Sequence, residues 1–392
     1  MVAFDFARER ASWAYPTTIW FGAGSVAAAA KACALAGIRR PLLVTDPGLA
    51  GREPVRRTRA ALQEGGLDPE LFSDLRPNPT EACLAAGVRR FVEGGFDGVV
   101  AVGGGSALDL GKAIAFMAGQ KRPVWDFEDV GDNWKRADEA AIRPVVAIPT
   151  TAGTGSEVGR AAVLTDPRSQ RKRIIFHPRM MPRLALLDPE LTLELPPKLT
   201  AATGMDALAH LLEAYLAPTF HPMAEGIAVE GMRLVREALV VAYRDGRDLA
   251  ARGKMLVAAS MGAVAFQKGL GAVHALSHPI GARFDTHHGL TNAVLLPYVL
   301  AFNRPQVEDK LARLARFLDL KPAGFDGVLA WLLDLREELA IPPTLEALGI
   351  DDSAFAALAE AAVVDPTAAT NPRPLAREDA LELYRRAFEG RI

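Results

Sequence analysis

Residues 99–115 have the sequence VVAVGGGSALDLGKAIA. An apolar, β-branched run is followed at once by three glycines, a serine and an Ala-rich stretch with helical spacing. Glycines at this position let the backbone approach a phosphate closely, and the next helix offers free N–H groups and the positive end of its dipole. The segment therefore predicts a strand, a phosphate-binding turn at Gly104, Gly105 and Ser106, and a helix.

The strand–helix alternation of this segment extends over the first half of the chain. Short apolar runs that predict strands lie at 17–21, 41–45, 98–102 and 144–148. Such runs, separated by helical stretches, are typical of a parallel sheet covered on both faces. After Pro196 and Pro197 almost every segment has the apolar spacing of an amphipathic helix. With 392 residues we expect two domains: an α/β nucleotide-binding domain over 1–195 and an all-α domain over 196–392.

The composition limits the class of partner. The 45 basic and 47 acidic residues give a net charge of −2, which offers no electrostatic footprint for nucleic acid or an anionic membrane. We therefore expect small-molecule partners. The first residues show no apolar signal core, no uninterrupted apolar run approaches the roughly 20 residues that span a bilayer, and the two cysteines are too few for a disulfide framework. A cytoplasmic protein fits these features.

Two further loops of the first half bear on nucleotide binding. Asp46 ends the strand PLLVT, where a carboxylate can accept both ribose hydroxyls and repel a 2′-phosphate; this favours NAD over NADP. A turn or helix-capping role before Pro47 is the alternative for this aspartate. Asp46 precedes the GGGS turn by more than fifty residues, the reverse of the usual Rossmann order. The sheet is therefore predicted to be a Rossmann-like variant, and the glycine loop FGAGSVA at 21–27 is rejected as the phosphate site.

The loop IPTTAGTGSEVGR at 148–160 also follows a predicted strand. Its glycines and the hydroxyls of Thr150, Thr151 and Thr154 suit contacts to phosphate or nicotinamide. A hydroxyl-rich turn without a ligand is an equal alternative.

Histidine placement in the second half indicates a metal site. Only seven histidines occur, and four of them fall within residues 274–288. Asp206 and His210 are four residues apart in a helical pattern, as are His274 and His278, so each pair projects from one helix face. We take Asp206, His210, His274 and His288 as the candidate ligands, although spacing alone does not decide which four bind. One oxygen and three nitrogens suit Fe(II) or Zn(II) and not magnesium or calcium.

Four segments together resemble the hallmark motifs of the iron-containing (group III) alcohol dehydrogenases. They are GGGSALDLGKAIA, PTTAGTGSEV, GMDALAHLLEAY and HALSHPIGARFDTHHGLTNAVLLPYV. Their order and spacing agree with the family over nearly the whole chain. The resemblance implies a dehydroquinate synthase-like α/β nucleotide domain followed by a helical metal domain, in a homodimer or larger homo-oligomer.

The resemblance also implies roles for individual residues. Asp206, His210, His274 and His288 match the metal ligands, with iron expected and zinc as the alternative found in some members. His278 matches a non-ligand histidine beside the metal and the nicotinamide, a candidate catalytic proton relay. The matches to cofactor-binding positions are Asp46, Asn78, Gly104, Gly105, Ser106, Asp109, Thr150, Thr151, Thr154 and Lys172. His287 has no counterpart in the family.

Within the family, LLVTDPG, AFQKGLGAVHALSHP and LAPTFHPMAEGIA are most similar to the bacterial 4-hydroxybutyrate dehydrogenase branch. This implies reversible hydride transfer between NAD and a primary alcohol, for example a short ω-hydroxy acid, giving the aldehyde. The basic stretch at 168–179 is a candidate for holding a substrate carboxylate, although a solvated hairpin is the more economical interpretation.

Three alternatives stay open. The same scaffold can serve a hydroxyacid–oxoacid transhydrogenase that retains its cofactor, or a nucleotide-sensing regulator without turnover. A relative of the maleylacetate reductases fits less well, since their metal-independent chemistry does not require this ligand set.

Overall fold

The computed structural model describes residues 14–169 and 171–392. The N-terminal segment in which no signal core is predicted therefore lies mostly outside the described residues. One compact unit consists of Tyr15–Leu195 together with Arg247–Ser260, and the other is built mainly from Pro196–Gly246 and Met261–Ile392. The chain thus leaves the first unit at the boundary placed between 195 and 196. Residues 247–260, which the sequence assigned to the second domain, cluster with the first unit instead.

The first unit contains a parallel sheet of six strands. These are β1 (Thr18–Phe21), β2 (Pro41–Val44), β3 (Glu70–Phe72), β4 (Gly98–Gly103), β5 (Val145–Pro149) and β8 (Leu184–Leu187), in the order β1-β8-β5-β4-β2-β3. Strands β6 (Ala161–Asp166) and β7 (Arg171–Phe176) form a separate antiparallel hairpin. The predicted α/β class with a parallel sheet is confirmed, and each of the four predicted strands is present.

Helices cover the sheet on both faces. They are α1 (Ala29–Ala36), α2 (Glu53–Glu64), α3 (Glu81–Glu93) and α4 (Gly105–Met117). Successive residues of a strand are buried on opposite faces of the sheet. Val99 belongs to the core under α3 and α4, while Val100 belongs to the core under α1 and α2. This is why the strands are continuous apolar runs and do not alternate with polar residues. Helix α4 lies close to β4 because Gly111 has no Cβ; one built there would be 2.7 Å from the Cβ of Ala101.

The second unit is helical, as predicted. Its helices are α5 (Pro197–Leu216), α6 (Pro222–Arg244), the end of α7 (Leu249–Ala265), α8 (Ala272–Phe284), α9 (His288–Phe317), α10 (Phe325–Glu338), α11 (Phe355–Val363) and α12 (Arg377–Glu389). Helix α5 is the centre of this unit, since α6 and α9 pack along it and every residue from 204 to 216 is buried. A helix that is buried all round is expected to be apolar all round, so the polar side chains on α5 require a specific reason.

One segment of the described chain, Leu249–Lys268, is long and apolar enough by length and composition to cross a membrane. Two thirds of its most apolar window (67%) is buried inside the protein. A buried core helix passes the same test, so this segment is no indication of a membrane span.

Candidate metal centre and nucleotide loops

Three polar side chains lie on one buried face of α5. Asp206, His210 and Glu213 occupy positions i, i+4 and i+7, which share a face of an α-helix. Each is at most 6% exposed. Burying two carboxylates and an imidazole among apolar neighbours is costly unless each is hydrogen-bonded or bound to a cation.

Histidines from α8 and α9 complete the cluster. His274 lies on α8, and its ring stacks on that of His210 with centroids 4.7 Å apart. Candidate ligand atoms of Asp206, His210 and His274 all lie within 4.8 Å of one another. His288 begins α9, and its Nε2 is 3.7 Å from Asp206 Oδ1. The structure therefore brings all four candidate ligands together, from three helices.

A glycine allows α9 to approach α5 this closely. A Cβ built on Gly289 would be 2.3 Å from the carbonyl oxygen of Ala202 and 2.9 Å from the Cβ of Asp206. No side chain fits in this space, and the residue before Gly289 is the candidate ligand His288. A steric constraint thus explains why glycine follows the candidate ligand in the His-Gly pair. The spacing of the histidines alone did not indicate this constraint.

The amide of Asn292 indicates that the ligand atoms converge on one point. Its Nδ2 donates to Asp206 Oδ1 at 2.7 Å and lies 3.2 Å from His274 Nε2 and 3.1 Å from His288 Nε2. Lone pairs that meet on one electropositive N–H₂ group have the directions that a cation requires. The same side chain is fully buried and its Oδ1 has no partner among the described residues. The donor set of one carboxylate and three imidazoles therefore fits Fe(II) or Zn(II).

Glu213 contacts the second side of His274. Its Oε2 lies 2.5 Å from His274 Nδ1, and its Oε1 accepts from the Val273 N–H at 2.7 Å. Burial alone would lower the pKa of His274, but the carboxylates of Glu213, Asp206 and Asp365 together outweigh this effect and the pKa is raised. Glu213 was not among the predicted residues, although a carboxylate three residues after His210 on the same helix face was a usable signal.

A matching contact lies one helical turn further along α8. His278 Nδ1 is 2.8 Å from Asp365 Oδ2, and the other oxygen of Asp365 accepts from the Thr367 N–H at 2.9 Å. Burial would raise the pKa of Asp365, but His278 and Thr367 bring it below its usual value. No local pattern pointed to Asp365, which is 87 residues from His278 along the chain.

His287 is placed apart from these contacts. It is exposed, and its Nδ1 accepts from the Leu290 N–H at 3.4 Å in the first turn of α9. The residue acts here as a helix cap.

In the first unit, the predicted nucleotide residues gather where β2, β4 and β5 end. A Cβ on Gly103, whose φ is +148°, would lie 3.3 Å from Asp46 Oδ2. A Cβ on Gly105 would lie 2.6 Å from the Cγ2 of Thr154, and one on Gly104 would lie 3.4 Å from Thr151. The GGGS turn, the threonine loop and Asp46 are therefore neighbours at the carboxyl edge of the sheet, where α/β proteins bind ligands.

Asp46 and Thr150 have defined surroundings in this cluster. Asp46 Oδ1 accepts from the Leu49 N–H at 3.1 Å, and partial burial raises the pKa of its carboxyl. Thr150 is buried, and its N–H donates to the carbonyl of Gly103 at 3.0 Å. Ser106 lies in the first turn of α4, so the free N–H groups of that helix start at the glycines.

Asp109, predicted to contact the cofactor, also has partners within the protein. Its Oδ1 accepts from the Ser156 hydroxyl at 2.5 Å and its Oδ2 from the Val163 N–H at 2.9 Å. Lys112 lies 3.1 Å from the same carboxylate. Both oxygens are therefore engaged by protein groups, and in this structure Asp109 fixes the threonine loop and β6 onto α4.

Glu157 is a buried carboxylate of the threonine loop that the sequence analysis did not single out. Its Oε1 accepts from the Ser260 hydroxyl at 2.6 Å. Burial raises the pKa of Glu157, and the opposing effects of Ser260 and Lys112 do not cancel it. The hydrogen bond ties this loop to α7 within the first unit.

Asn78 and Lys172 lie near the β6–β7 hairpin. Asn78 has a left-handed φ of +55°, and the next residues bond to β6, since the Thr165 N–H donates to the carbonyl of Pro79 at 2.8 Å. Lys172 lies opposite Thr165 in the hairpin register. The segment that follows Asn78 and the strand that carries Lys172 thus both pair with β6 at Thr165.

The rejected glycine loop at 21–27 has a structural use. The N–H groups of Gly24 and Val26 donate to the two oxygens of Asp188, each at 3.1 Å. A protein carboxylate therefore occupies the donors that a phosphate would need.

Part of the basic stretch at 168–179 forms β7, and its central arginine is paired. Arg173 contacts the carboxylates of Glu128 and Asp166 and lies over the ring of Trp125. These contacts favour a structural role for Arg173. Arg179 is 3.8 Å from Glu139.

Comparisons with known proteins agree with this geometry. The model of the family "Iron-containing alcohol dehydrogenase" matches residues 16–189, and "Fe-containing alcohol dehydrogenase family, C-terminal" matches residues 200–388. The chain is 42% identical over 386 residues to 4-hydroxybutyrate dehydrogenase of Cupriavidus necator, covering 96% of this chain and 98% of that protein.

Solved structures have the same fold. A crystal structure of 1,3-propanediol oxidoreductase matches with a TM-score of 0.92 at 33% identity, over 97% of this chain and all of that one. Sulfoacetaldehyde reductase from Bifidobacterium kashiwanohense, in complex with NAD+, matches with a TM-score of 0.86 at 28% identity over 96% of this chain and 98% of that one.

Proposed function

Because this chain belongs to the iron-containing alcohol dehydrogenase family, we propose that it is an NAD-linked dehydrogenase of short primary alcohols that works with one divalent metal ion. Its membership makes it an oxidoreductase acting on an alcohol or the corresponding aldehyde. The single observation that carries the finer proposal is the convergence of ligand atoms: Asp206, His274 and His288 meet on the amide nitrogen of Asn292, and His210 lies within the same cluster as Asp206 and His274.

We assign metal binding to Asp206, His210, His274 and His288. When bound, Fe(II) or Zn(II) polarises the alcohol oxygen and lowers the pKa of the hydroxyl. With a divalent ion in place, the imidazoles would add no charge, and the Asp206 carboxylate would offset one of the two positive charges of the ion. Burial of Asp206, His210 and His274 excludes water from their side of the site and strengthens their electrostatic effect.

His278 is the residue that we assign to proton transfer. Its Nδ1 is engaged by Asp365, so Nε2 is the nitrogen that can hold or pass on the hydroxyl proton. The side chain is 15% exposed, compared with 2% for His274. A partly exposed ring can exchange a proton with solvent.

We assign cofactor binding to the loops at the carboxyl edge of the sheet. The glycines at 104 and 105 and the first turn of α4 offer N–H groups to the pyrophosphate, and Asp46 offers an acceptor to the adenosine ribose. Hydroxyls of the threonine loop, with Asn78 and Lys172, complete the assignment. The choice of cofactor is supported by a structural relative, sulfoacetaldehyde reductase, whose structure was solved in complex with NAD+.

A short ω-hydroxy acid such as 4-hydroxybutyrate is the substrate class we propose, with the semialdehyde as product. The relative that is 42% identical over nearly the whole chain carries that activity in its name. The name of the 1,3-propanediol relative indicates a second compact substrate with a terminal hydroxyl. We further propose a cytoplasmic homodimer or larger homo-oligomer with no nucleic-acid or membrane partner, consistent with the nearly neutral charge balance.

The test is elemental analysis of the purified protein, coupled to NADH formation with primary alcohols, diols and ω-hydroxy acids. We expect about one transition metal per chain and the highest kcat/KM on an ω-hydroxy acid. His274→Ala should lose both metal and turnover while NAD binding remains. Full activity in the metal-free variant would contradict the proposal. Turnover only when a hydroxy acid and an oxo acid are both present, without NADH release, would indicate a transhydrogenase.

A further inference from the structure

The two histidines on α8 each have a carboxylate within hydrogen-bond distance of Nδ1, but the two carboxylates differ in their surroundings. Asp365, beside His278, comes from a loop and also accepts from Thr367. Glu213, beside His274, comes from the same helix as Asp206 and His210, and it bonds both the side chain of residue 274 and the backbone of residue 273. Glu213 thus contacts a candidate metal ligand directly.

Both oxygens of Glu213 face hydrogen-bond donors. The Val273 N–H can only donate, so Oε1 must be an acceptor. On the other side, the Asn292 amide nitrogen lies 3.2 Å from His274 Nε2, and an amide N–H₂ group can donate a hydrogen bond but cannot accept one. An imidazole whose Nε2 accepts carries its proton on Nδ1, and that proton points at Oε2 of Glu213.

We propose that Glu213 is a positioning residue that selects the Nδ1–H tautomer of His274, so that the Nε2 lone pair faces the metal. This inference rests on the proposed function, because it takes His274 to be a ligand. A carboxylate that fixes the tautomer of a ligating histidine also raises the basicity of the ring.

The chain makes room for this carboxylate. A Cβ on Gly271 would be 2.8 Å from Oε1 of Glu213 and 2.8 Å from Oδ1 of Asn371. Only a glycine there admits both acceptors to the start of α8, where Asn371 takes the Ala272 N–H at 3.0 Å and Glu213 takes the next one. The end of the helix that carries His274 is therefore held by two acceptors from outside it.

An amide cannot replace this carboxylate. In Glu213→Gln, the amide oxygen can accept from the Val273 N–H, but the N–H₂ group then donates to His274 Nδ1 and moves the ring proton to Nε2. In the opposite amide orientation, the N–H₂ group faces the Val273 N–H, and two donors meet. Each orientation costs a hydrogen bond, and the first removes the lone pair of the metal-facing nitrogen.

The test measures Co(II) and Zn(II) affinity by chelator competition in the wild type, Glu213→Gln and Asp365→Asn. We expect Glu213→Gln to bind both ions about 10- to 100-fold more weakly. Asp365→Asn is the matched control: it loses the same kind of carboxylate–imidazole contact on a histidine outside the ligand set, and its metal affinity should stay at the wild-type value. Equal affinity of Glu213→Gln and wild type would overturn the inference, and loss of affinity in both variants would show that Glu213 has no selective role.

A second measurement needs no variant. In the metal-free wild type with ¹⁵N-labelled histidine, His274 should show a protonated Nδ1 and an unprotonated Nε2. The reverse pattern would overturn the inference even if Glu213→Gln fails to fold. A wild type that binds neither ion, with the expected tautomer present, would refute the proposed function and leave the tautomer assignment standing.

Discussion

Replacing Gly289 by alanine tests whether the close approach of α9 to α5 builds the metal site. The new methyl carbon would lie 2.3 Å from the Ala202 carbonyl oxygen, whereas ordinary contact begins at 3.4 Å, so the two helices would have to separate by about 1.1 Å. The obstacle is backbone, which cannot rotate away as a side chain can. His288 would move with α9, away from Asp206 and the rest of the cluster.

The expected magnitudes follow from that displacement. Metal–ligand distances tolerate only about 0.2 Å, so a shift of about 1.1 Å removes His288 from the ligand set. We expect the affinity for Zn(II) to fall more than about 100-fold, beyond the effect of an outer-shell change. Overpacking typically costs about 1–3 kcal/mol, so the metal-free variant should unfold about 2–10 °C below the metal-free wild type.

The assay combines chelator competition with thermal unfolding in the presence and absence of Zn(II). Gly226→Ala is the matched control, because that glycine lies on α6, is exposed and has open space where the Cβ would be. It should keep the wild-type metal affinity and gain about 0.5–1 kcal/mol from helix propensity. If Gly289→Ala binds zinc as tightly as the wild type does, the steric account of the His-Gly pair is wrong.

Three further changes test the nucleotide loops and the buried acid. Gly105→Ala places a methyl group 2.6 Å from Thr154 Cγ2 and should weaken NAD binding, measured by fluorescence titration, about tenfold or more with metal content unchanged; unaltered NAD affinity would remove these loops from the pyrophosphate site. Asp46→Asn keeps an acceptor for the Leu49 N–H but loses the charge, so the ratio of kcat/KM for NADP to that for NAD should rise about tenfold or more. A ratio that does not change would leave Asp46 as a turn residue. The raised pKa of Glu157 means that the folded state retains a proton which the unfolded chain has released, so its stabilising effect is present at low pH and is lost as pH rises above the usual glutamate range. The Tm of Glu157→Gln should therefore fall less than that of the wild type between about pH 5 and about pH 8, and parallel Tm curves would contradict this.

Much of the α/β unit was predictable because its strands are unbroken apolar runs bounded by turns. Strand β3 has only three residues and is held by pairing with β2, which no local pattern indicates. The order that places β8 between β1 and β5 is likewise a property of distant pairing. The same holds for residues 247–260, whose helical pattern does not reveal which core they pack on.

Among the candidate metal ligands and their neighbours, the residues that could be predicted were those at helical spacing from one another. His210 and His278 were found because each lies four residues after another candidate. Glu213 and Asn292 lie on the same faces as Asp206 and His288, but an acid or amide in a helix usually faces solvent, so only their burial distinguishes them. Asp365 reaches His278 across 87 residues of chain, and this contact exists only in the folded structure.

The Asn292 side chain has a consequence for the binding of an ion at this site. A neutral amide contacts the ligand atoms of Asp206, His274 and His288. An ion that binds here has to displace the amide from these atoms. This disfavours magnesium, which prefers oxygen ligands to imidazole nitrogen.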